Sequence, residues 1–200
     1  MNRGIEAAPE TLARLETLIA LLRKWNPAIN LVAPSTLDEA WDRHVVDSAR
    51  LASLVAPPVH WVDLGSGAGF PGLVVAILLH ERAPASRVTL IESDGRKAAF
   101  LRSAAQATGV PLTVLDARIE TVPPLGAEVV SARALAPLDR LLHLAQRHLA
   151  SGGTCLFPKG ARVAEELASV AGTWSFDLIR HAAHGPGGGE VLEIRNPHHV

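Results

Sequence analysis

The sequence predicts an α/β fold, with a mostly parallel sheet wound by helices and closed by a hairpin. Three observations lead there. From Val59 onward, short runs rich in β-branched residues alternate with stretches of helical periodicity, the pattern of strands joined by crossover helices. The stretch Val62-Asp63-Leu64-Gly65-Ser66-Gly67-Ala68-Gly69-Phe70-Pro71-Gly72 puts a glycine-rich turn between the first strand and the first crossover helix. The chain then ends on two β runs, Ser175 to Arg180 and Glu190 to Arg195, separated by glycines (Gly185, Gly187, Gly188, Gly189). They read as a closing hairpin.

Residues 9–24 read as an amphipathic helix, with Leu12, Leu15, Leu18, Ile19 and Leu22 on one stripe. Pro9 opens it, and Trp25-Asn26-Pro27 is expected to stop it. Ser35-x-x-Asp38 and Thr36-x-x-Glu39 have the form of capping boxes for a second helix over 36–55, burying Trp41, Val45, Ala49 and Ala52. Residues 1–57 are thus expected to be a helical cap within a single domain, 1–200, because Pro57-Pro58 ends the cap without a long linker. Then follow strand 59–64, helix 71–80, strand 87–92, helix 95–108, strands 112–115 and 127–132, helix 137–150, strand 153–157 and helix 161–171.

Two hundred residues, 48% hydrophobic, suffice for one domain with a core of its own. The single cysteine excludes an internal disulfide and, with no cluster of metal-ligating residues, points to a reducing, cytoplasmic setting and no metal. No apolar run reaches the length of a membrane span, and Asn2, Arg3, Glu6 and Glu10 do not make a signal peptide, so no membrane association is expected. The net charge of −1 excludes generic polyanion binding, so any nucleic-acid contact must come from a local patch.

Four glycines in the turn let the backbone bend sharply and approach a ligand with no Cβ in the way. Pro71 suits a first helical position, and the helix start offers N–H groups and a positive dipole end. Gly67-x-Gly69-x-x-Gly72 also fits a dinucleotide turn, with Glu92 at about the distance of a ribose contact. Asp63 and Gly65 extend it to Asp-x-Gly-x-Gly-x-Gly, which favours S-adenosylmethionine (SAM): an acid there can receive the ammonium of a methionine moiety and would repel a pyrophosphate.

Asp63 to Gly72 resembles motif I of the bacterial RsmG (GidB) 16S rRNA methyltransferases. The resemblance extends to Trp25-Asn26, Asn30-Leu31, Arg43-His44, Asp47-Ser48, Ser131-Ala132-Arg133-Ala134 and Lys159-Gly160, in family order over 25–160. Leu73-Val74 stands where the family usually has Ile-Pro, and Pro158 precedes Lys159. The resemblance implies a class I SAM-dependent methyltransferase fold, Rossmann-like, with seven strands and an antiparallel last strand. It implies SAM as cofactor and a guanine N7 of 16S rRNA, in the small ribosomal subunit or its precursor, as methyl acceptor. A monomer is expected.

Ligands of open α/β sheets sit beyond the C-terminal strand ends, which makes those ends the candidate site. Asp63, Gly65, Gly67, Gly69 and Phe70 follow the first strand, and Glu92, Ser93 and Asp94 close the second, where a carboxylate can accept from ribose hydroxyls. After the third come Arg118, Ile119 and Glu120, and the resemblance places Ile119 and Glu120 beside the adenine. It also assigns Arg133, after the fourth strand, to the cofactor site. Arg118, Lys159 and His44 are the candidates for RNA contact. His44, Asp47 and Ser48 share a helix face and either line the substrate side or form a polar interface between cap and sheet. Arg140, His143, Arg147 and His148 read as a solvated helix face.

No catalytic residue is expected. No Asn-Pro-Pro-Tyr-like motif follows the fourth strand, against methylation of an exocyclic amine, and Cys155 lies inside a strand, a poor place for a nucleophile. Guanine N7 has an exposed lone pair and no proton, so its methylation needs alignment and no base. The competing readings are a SAM enzyme for a small metabolite, an NAD-dependent oxidoreductase and a non-catalytic RNA-binding module.

Overall fold

The computed structural model describes residues 4–57, 59–182 and 189–200. Asn2, Arg3, Pro58 and, of the late glycines, Gly185, Gly187 and Gly188 lie outside the described residues. Seven strands form one sheet: β1 His60–Leu64, β2 Arg87–Glu92, β3 Thr113–Asp116, β4 Ala127–Ser131, β5 Leu149–Lys159, β6 Trp174–Ala182 and β7 Glu190–His199. Their order is β3-β2-β1-β4-β5-β7-β6. Strands β1 to β5 are parallel, and β7 runs antiparallel between β5 and β6. The expected parallel sheet with its closing hairpin is therefore present, and the order reverses between β1 and β4, where a crevice opens at the strand ends.

Side chains alternate across the sheet with the strand period of two. Trp61, Leu90, Val129 and Leu156 join one apolar cluster with α3 (Gly72–Arg82) and α4 (Gly95–Thr108). Val62, Ile91, Val130 and Cys155 join a second with α5 (Leu138–His148) and α6 (Val163–Val170). Helix α3 is buried at every residue from Gly72 to Leu79. A helix apolar on all sides needs cover on its outer face too. The N-terminal helices α1 (Pro9–Ile29) and α2 (Asp47–Ser53) supply it, with Leu15, Leu18, Leu22 and Leu51 in one core with Leu73, Ile77 and Phe100. Each such leucine contributes roughly 1.5–3 kcal/mol of burial, so the cap is held by the same core as the sheet.

The cap departs from its sequence reading in two places. Helix α1 runs through Trp25-Asn26-Pro27, because Trp25 packs edge-on against Phe100 with centroids 5.8 Å apart and buried Asn26 accepts the Val32 N–H at 2.8 Å. It ends at Asn30 in the left-handed conformation, φ 49°. The helix expected over 36–55 is three pieces: a 3₁₀ turn Pro34–Thr36, a π-helical turn Trp41–Val46 and α2. Neither capping box forms; the Thr36 hydroxyl donates to Ala33 O at 2.8 Å, and Ala40 precedes the π turn. Further on, β5 exceeds the expected 153–157 at both ends, because Leu149 pairs with Ala127 of β4 and β7 pairs with it from Thr154 to Lys159.

Candidate active site

Strand β1 ends in a turn whose backbone favours glycine. Gly65, Gly67 and Gly69 have φ of 63°, 53° and 86°. A Cβ on Gly72 would stand 2.3 Å from Leu90 and 2.8 Å from the Asp63 carboxylate. The turn is bonded from within: Ser66 N–H donates to Ile91 O at 3.1 Å, Gly67 N–H to Glu92 Oε2 at 2.8 Å and Gly69 N–H to Ser66 O at 2.7 Å. Pro71 stands one residue before the helix, which Gly72 opens. The N–H groups of Gly72 and Leu73 also have protein acceptors, so the helix start presents less free donor capacity than the sequence implied.

Asp63 faces inward, away from any direct contact with a ligand ammonium. It is 1% exposed. Its Oδ1 accepts from Ser131 Oγ at 2.6 Å and its Oδ2 from Gly72 N–H at 3.3 Å. Ser131 in turn accepts from Trp61 Nε1 at 2.8 Å. Burial pushes the Asp63 carboxyl up to about 6, against the hydrogen bonds from Ser131 and Gly72. Asp63 thus braces the turn from behind. Ser131 is a site residue that sequence reasoning passed over as a partner, although a small polar residue ending β4 opposite Asp63 was a readable signal.

Among the described residues, two clefts open along the strand ends. The smaller, about 360 Å³, brings together Gly65, Gly67, Glu92, Ser93, Arg118, Ile119 and Glu120. Glu92 is buried; its Oε1 accepts from Asp94 N–H at 2.8 Å while Oε2 holds Gly67. Each oxygen keeps a further acceptor site. Ile119 gives an apolar wall, fixed by His148 Nε2 at 3.1 Å from its carbonyl. His148 itself is fully buried, which corrects its place on the solvated face expected of α5, whereas Arg140, His143 and Arg147 are exposed as expected, Arg147 donating to Val122 O at 3.1 Å. Glu120 pairs with Arg140. Asp94 is not among the lining residues; it caps α4, accepting from Arg96 N–H at 2.9 Å, and the Arg96 hydrogen bonds pull its carboxyl down to about 2.

The larger cleft, about 770 Å³, lies on the other side of Ala134-Leu135-Ala136, residues that line both. Leu135 rests directly on Gly65, and a Cβ there would meet it at 2.6 Å. Asp47, Ser48, Arg50, Arg133, Lys159 and Arg162 are on its wall. Arg133 donates to Arg43 O at 3.1 Å and faces Asp47 electrostatically; burial lowers its pKa from the ordinary arginine value. Lys159 does not stand free as expected. Its side chain is 7% exposed, with Nζ 2.6 Å from Glu166 and 3.3 Å from Ala136 O. His44 lines neither cleft: it stacks on Phe70 with centroids 4.9 Å apart, and Nε2 lies 3.2 Å from Thr36 Oγ1. Burial and the Arg133 charge push it down to about 4, so it is neutral at pH 7 and does not fit the role of a phosphate-pairing cation. Cys155 is buried in β5 and its thiol is pushed up to about 12; it is no nucleophile.

The smaller cleft suits an adenosine: free acceptor sites on Glu92 for ribose hydroxyls, Ile119 for the purine face, and open space above Gly67, whose Cβ would meet only Gly65 O at 3.8 Å. The fold agrees with solved structures of methyltransferases. A SAM-dependent methyltransferase from Aquifex aeolicus superposes with a TM-score of 0.62 at 11% identity, covering 88% of this chain and 97% of that one. TYW2 of M. jannaschii, solved in complex with AdoMet, gives 0.58 at 14% identity, over 84% and 78%. In sequence, the family described as rRNA small subunit methyltransferase G, GidB, matches residues 11–186. The chain is 44% identical over 199 residues to the ribosomal RNA small subunit methyltransferase G of Ruegeria sp. (strain TM1040), covering 100% of this chain and 97% of that protein. It is 53% identical over 186 residues to that of Rhodospirillum centenum, over 92% and 84%. A glycine turn braced by Asp63 and Ser131, a strand-end acid at Glu92 and matches along nearly the whole length have one explanation: this chain belongs to the GidB family of rRNA small subunit methyltransferases.

Proposed function

We propose that this protein transfers the methyl group of SAM to N7 of a guanine in 16S rRNA of the small ribosomal subunit. The observation that carries the reading is the pair of clefts meeting at Ala134-Leu135-Ala136, one suited to an adenosine and one lined by arginines. In this reading Gly65, Gly67, Glu92, Ser93, Ile119 and Glu120 hold the cofactor's adenosine. Asp63, Gly69 and Phe70 shape the turn from behind. When bound, SAM supplies a methyl carbon activated by its sulfonium; the carbon–sulfur bond breaks as the bond to N7 forms, leaving a cationic guanine. N7 carries no proton, so no side chain has to remove one. The chain's contribution is to hold donor and acceptor in line where the two clefts meet, at Ala134-Leu135-Ala136.

Arg118, exposed on the rim of the smaller cleft and in no ion pair among the described residues, remains as an RNA-phosphate contact. The same reading has the chain acting as a cytoplasmic monomer of one domain, with residues 1–57 as its cap. In support, the large apolar side chains exposed among the described residues are Ile179 and Val200, and no described helix is long and apolar enough to cross a membrane. The test is a mass-spectrometric map of modified guanines in 16S rRNA from cells with and without this protein. One N7-methylguanosine should disappear with the protein and return with it; an unchanged map refutes the reading.

A further inference from the structure

Arg50, Arg133, Lys159 and Arg162 line the larger cleft, and they are not equally free. Lys159 is largely buried with Nζ 2.6 Å from Glu166. Arg133 donates to Arg43 O at 3.1 Å, and the resemblance assigns it to the cofactor. Arg162, the residue before α6, is exposed and makes no ion pair or side-chain hydrogen bond among the described residues. Arg50, on α2, is half-buried. Its Nη1 is out of reach of solvent and makes no hydrogen bond among the described residues; the Asp47 carboxylate stands 3.6 Å off, beyond hydrogen-bond reach. Asp47 therefore balances part of the Arg50 charge and takes none of its donors. Glu190, on the same wall, is held by Arg180 at 2.5 and 2.6 Å.

A buried donor short of an acceptor is costly, and folded proteins keep few of them. A guanidinium only donates, through five N–H groups in a planar fork that fits a phosphate. Arg50 and Arg162 come from separate elements, the cap and the connection between β5 and α6, and they line one space of about 770 Å³. Ligand pockets occupy about 300–1,000 Å³, so this space suits a single nucleotide and not a duplex. An enzyme that acts on a base takes it out of its stack, which leaves the phosphates on either side at the mouth of the pocket. We propose that Arg50 and Arg162 hold the two phosphates flanking the target guanosine, so that its base enters the cleft with the backbone pinned on both sides. The inference rests on the guanine-N7 reading above. It makes both arginines substrate-binding residues and gives the cap a share in holding the RNA.

The test uses 16S rRNA ligated from fragments and assembled into small subunits, with either phosphate beside the mapped guanosine replaced by an uncharged methylphosphonate. Each replacement should lower kcat/KM of the wild-type protein by roughly 10- to 100-fold, the loss of a charge-assisted hydrogen bond. Arg50→Met and Arg162→Met should lose a similar factor on the unmodified substrate. Each variant should then be indifferent to one methylphosphonate and remain sensitive to the other, with S-adenosylhomocysteine affinity by calorimetry unchanged. Both variants are expected to fold, since neither side chain donates a hydrogen bond among the described residues. Should Arg50→Met unfold, the Arg162 and methylphosphonate arms still decide. A wild-type protein indifferent to both replacements, or variants whose losses multiply with both, overturn the proposal. Weakened S-adenosylhomocysteine binding in Arg50→Met gives that arginine to the cofactor and overturns its assignment here. A wild-type protein that forms no N7-methylguanosine on the unmodified substrate overturns the function itself, so the two failures are distinguishable.

Discussion

In the proposed reading Glu92 does two jobs, holding the glycine turn and meeting the ribose, and Glu92→Gln separates them. The residue is 8% exposed, and its carboxylate accepts from the backbone N–H groups of Gly67 and Asp94, each at 2.8 Å. An amide of the same shape has one accepting oxygen, so one of those N–H groups must face an NH₂ group. A buried donor left unsatisfied costs about 1–3 kcal/mol. The variant should therefore lose about that much stability before any ligand is added, a fall in Tm of roughly 2–4 °C per kcal/mol for a chain of this length. Urea unfolding of the ligand-free protein measures the first effect, and calorimetric titration with SAM measures the second. The amide can still exchange hydrogen bonds with ribose hydroxyls, so affinity should drop by only about 1 kcal/mol, several-fold in Kd. If ligand-free stability is unchanged while affinity collapses, Glu92 does not hold the turn, and the account of how the turn is built is wrong.

Gly67→Val and Gly72→Ala should fail differently. The first should abolish SAM binding yet leave cooperative unfolding, because only a left-handed φ opposes the side chain. The second drives a Cβ into Leu90 and Asp63 and should cost about 1–3 kcal/mol or more in urea. Arg118→Ala should lower the salt slope of RNA binding by about one unit, whereas Lys159→Met should leave the slope intact and instead lower stability by about 1–3 kcal/mol, since it breaks a largely buried ion pair. Asp63 sets a pH dependence: its carboxyl is raised from 3.8 to about 6 on folding, so its contribution to stability is full below about pH 4 and is lost as pH rises through about 6. Over that window the parent should lose about 3 kcal/mol that Asp63→Asn does not, read from urea midpoints at the two ends; parallel curves would refute the burial argument.

The sheet and its turn were legible because each strand carries its own signal: β-branched runs, glycines at positive φ, and acids at the ends of β1 and β2. The cap was less so. Pro27 looks like a stop, yet the helix continues because Trp25 and Asn26 find partners at Phe100 and Val32, contacts that no local pattern contains. The π turn at Trp41–Val46 likewise has no periodic signature distinct from an α-helix. Among site residues, those held by backbone geometry fell where the spacing put them, such as Gly65, Gly67 and Glu92. What spacing does not reveal is which charges find partners on other elements. Lys159 is neutralised from α6, His44 is desolvated against Phe70, and Asp63 is turned inward by Ser131 of the neighbouring strand.

The glycine turn is closed by bonds of the protein to itself: Ser66 to Ile91, Gly67 to Glu92, Gly69 to Ser66, Gly72 to Asp63. Its backbone has therefore surrendered its conformational freedom during folding, before a ligand arrives, and that entropy is not demanded again on association. Loosening any of these bonds has a particular thermodynamic signature. The intact sites bind as before, but only a fraction of molecules has one at any moment, and the apparent Kd rises by the reciprocal of that fraction. A residue that never touches the ligand can then set its affinity, through the share of molecules in which the turn is closed.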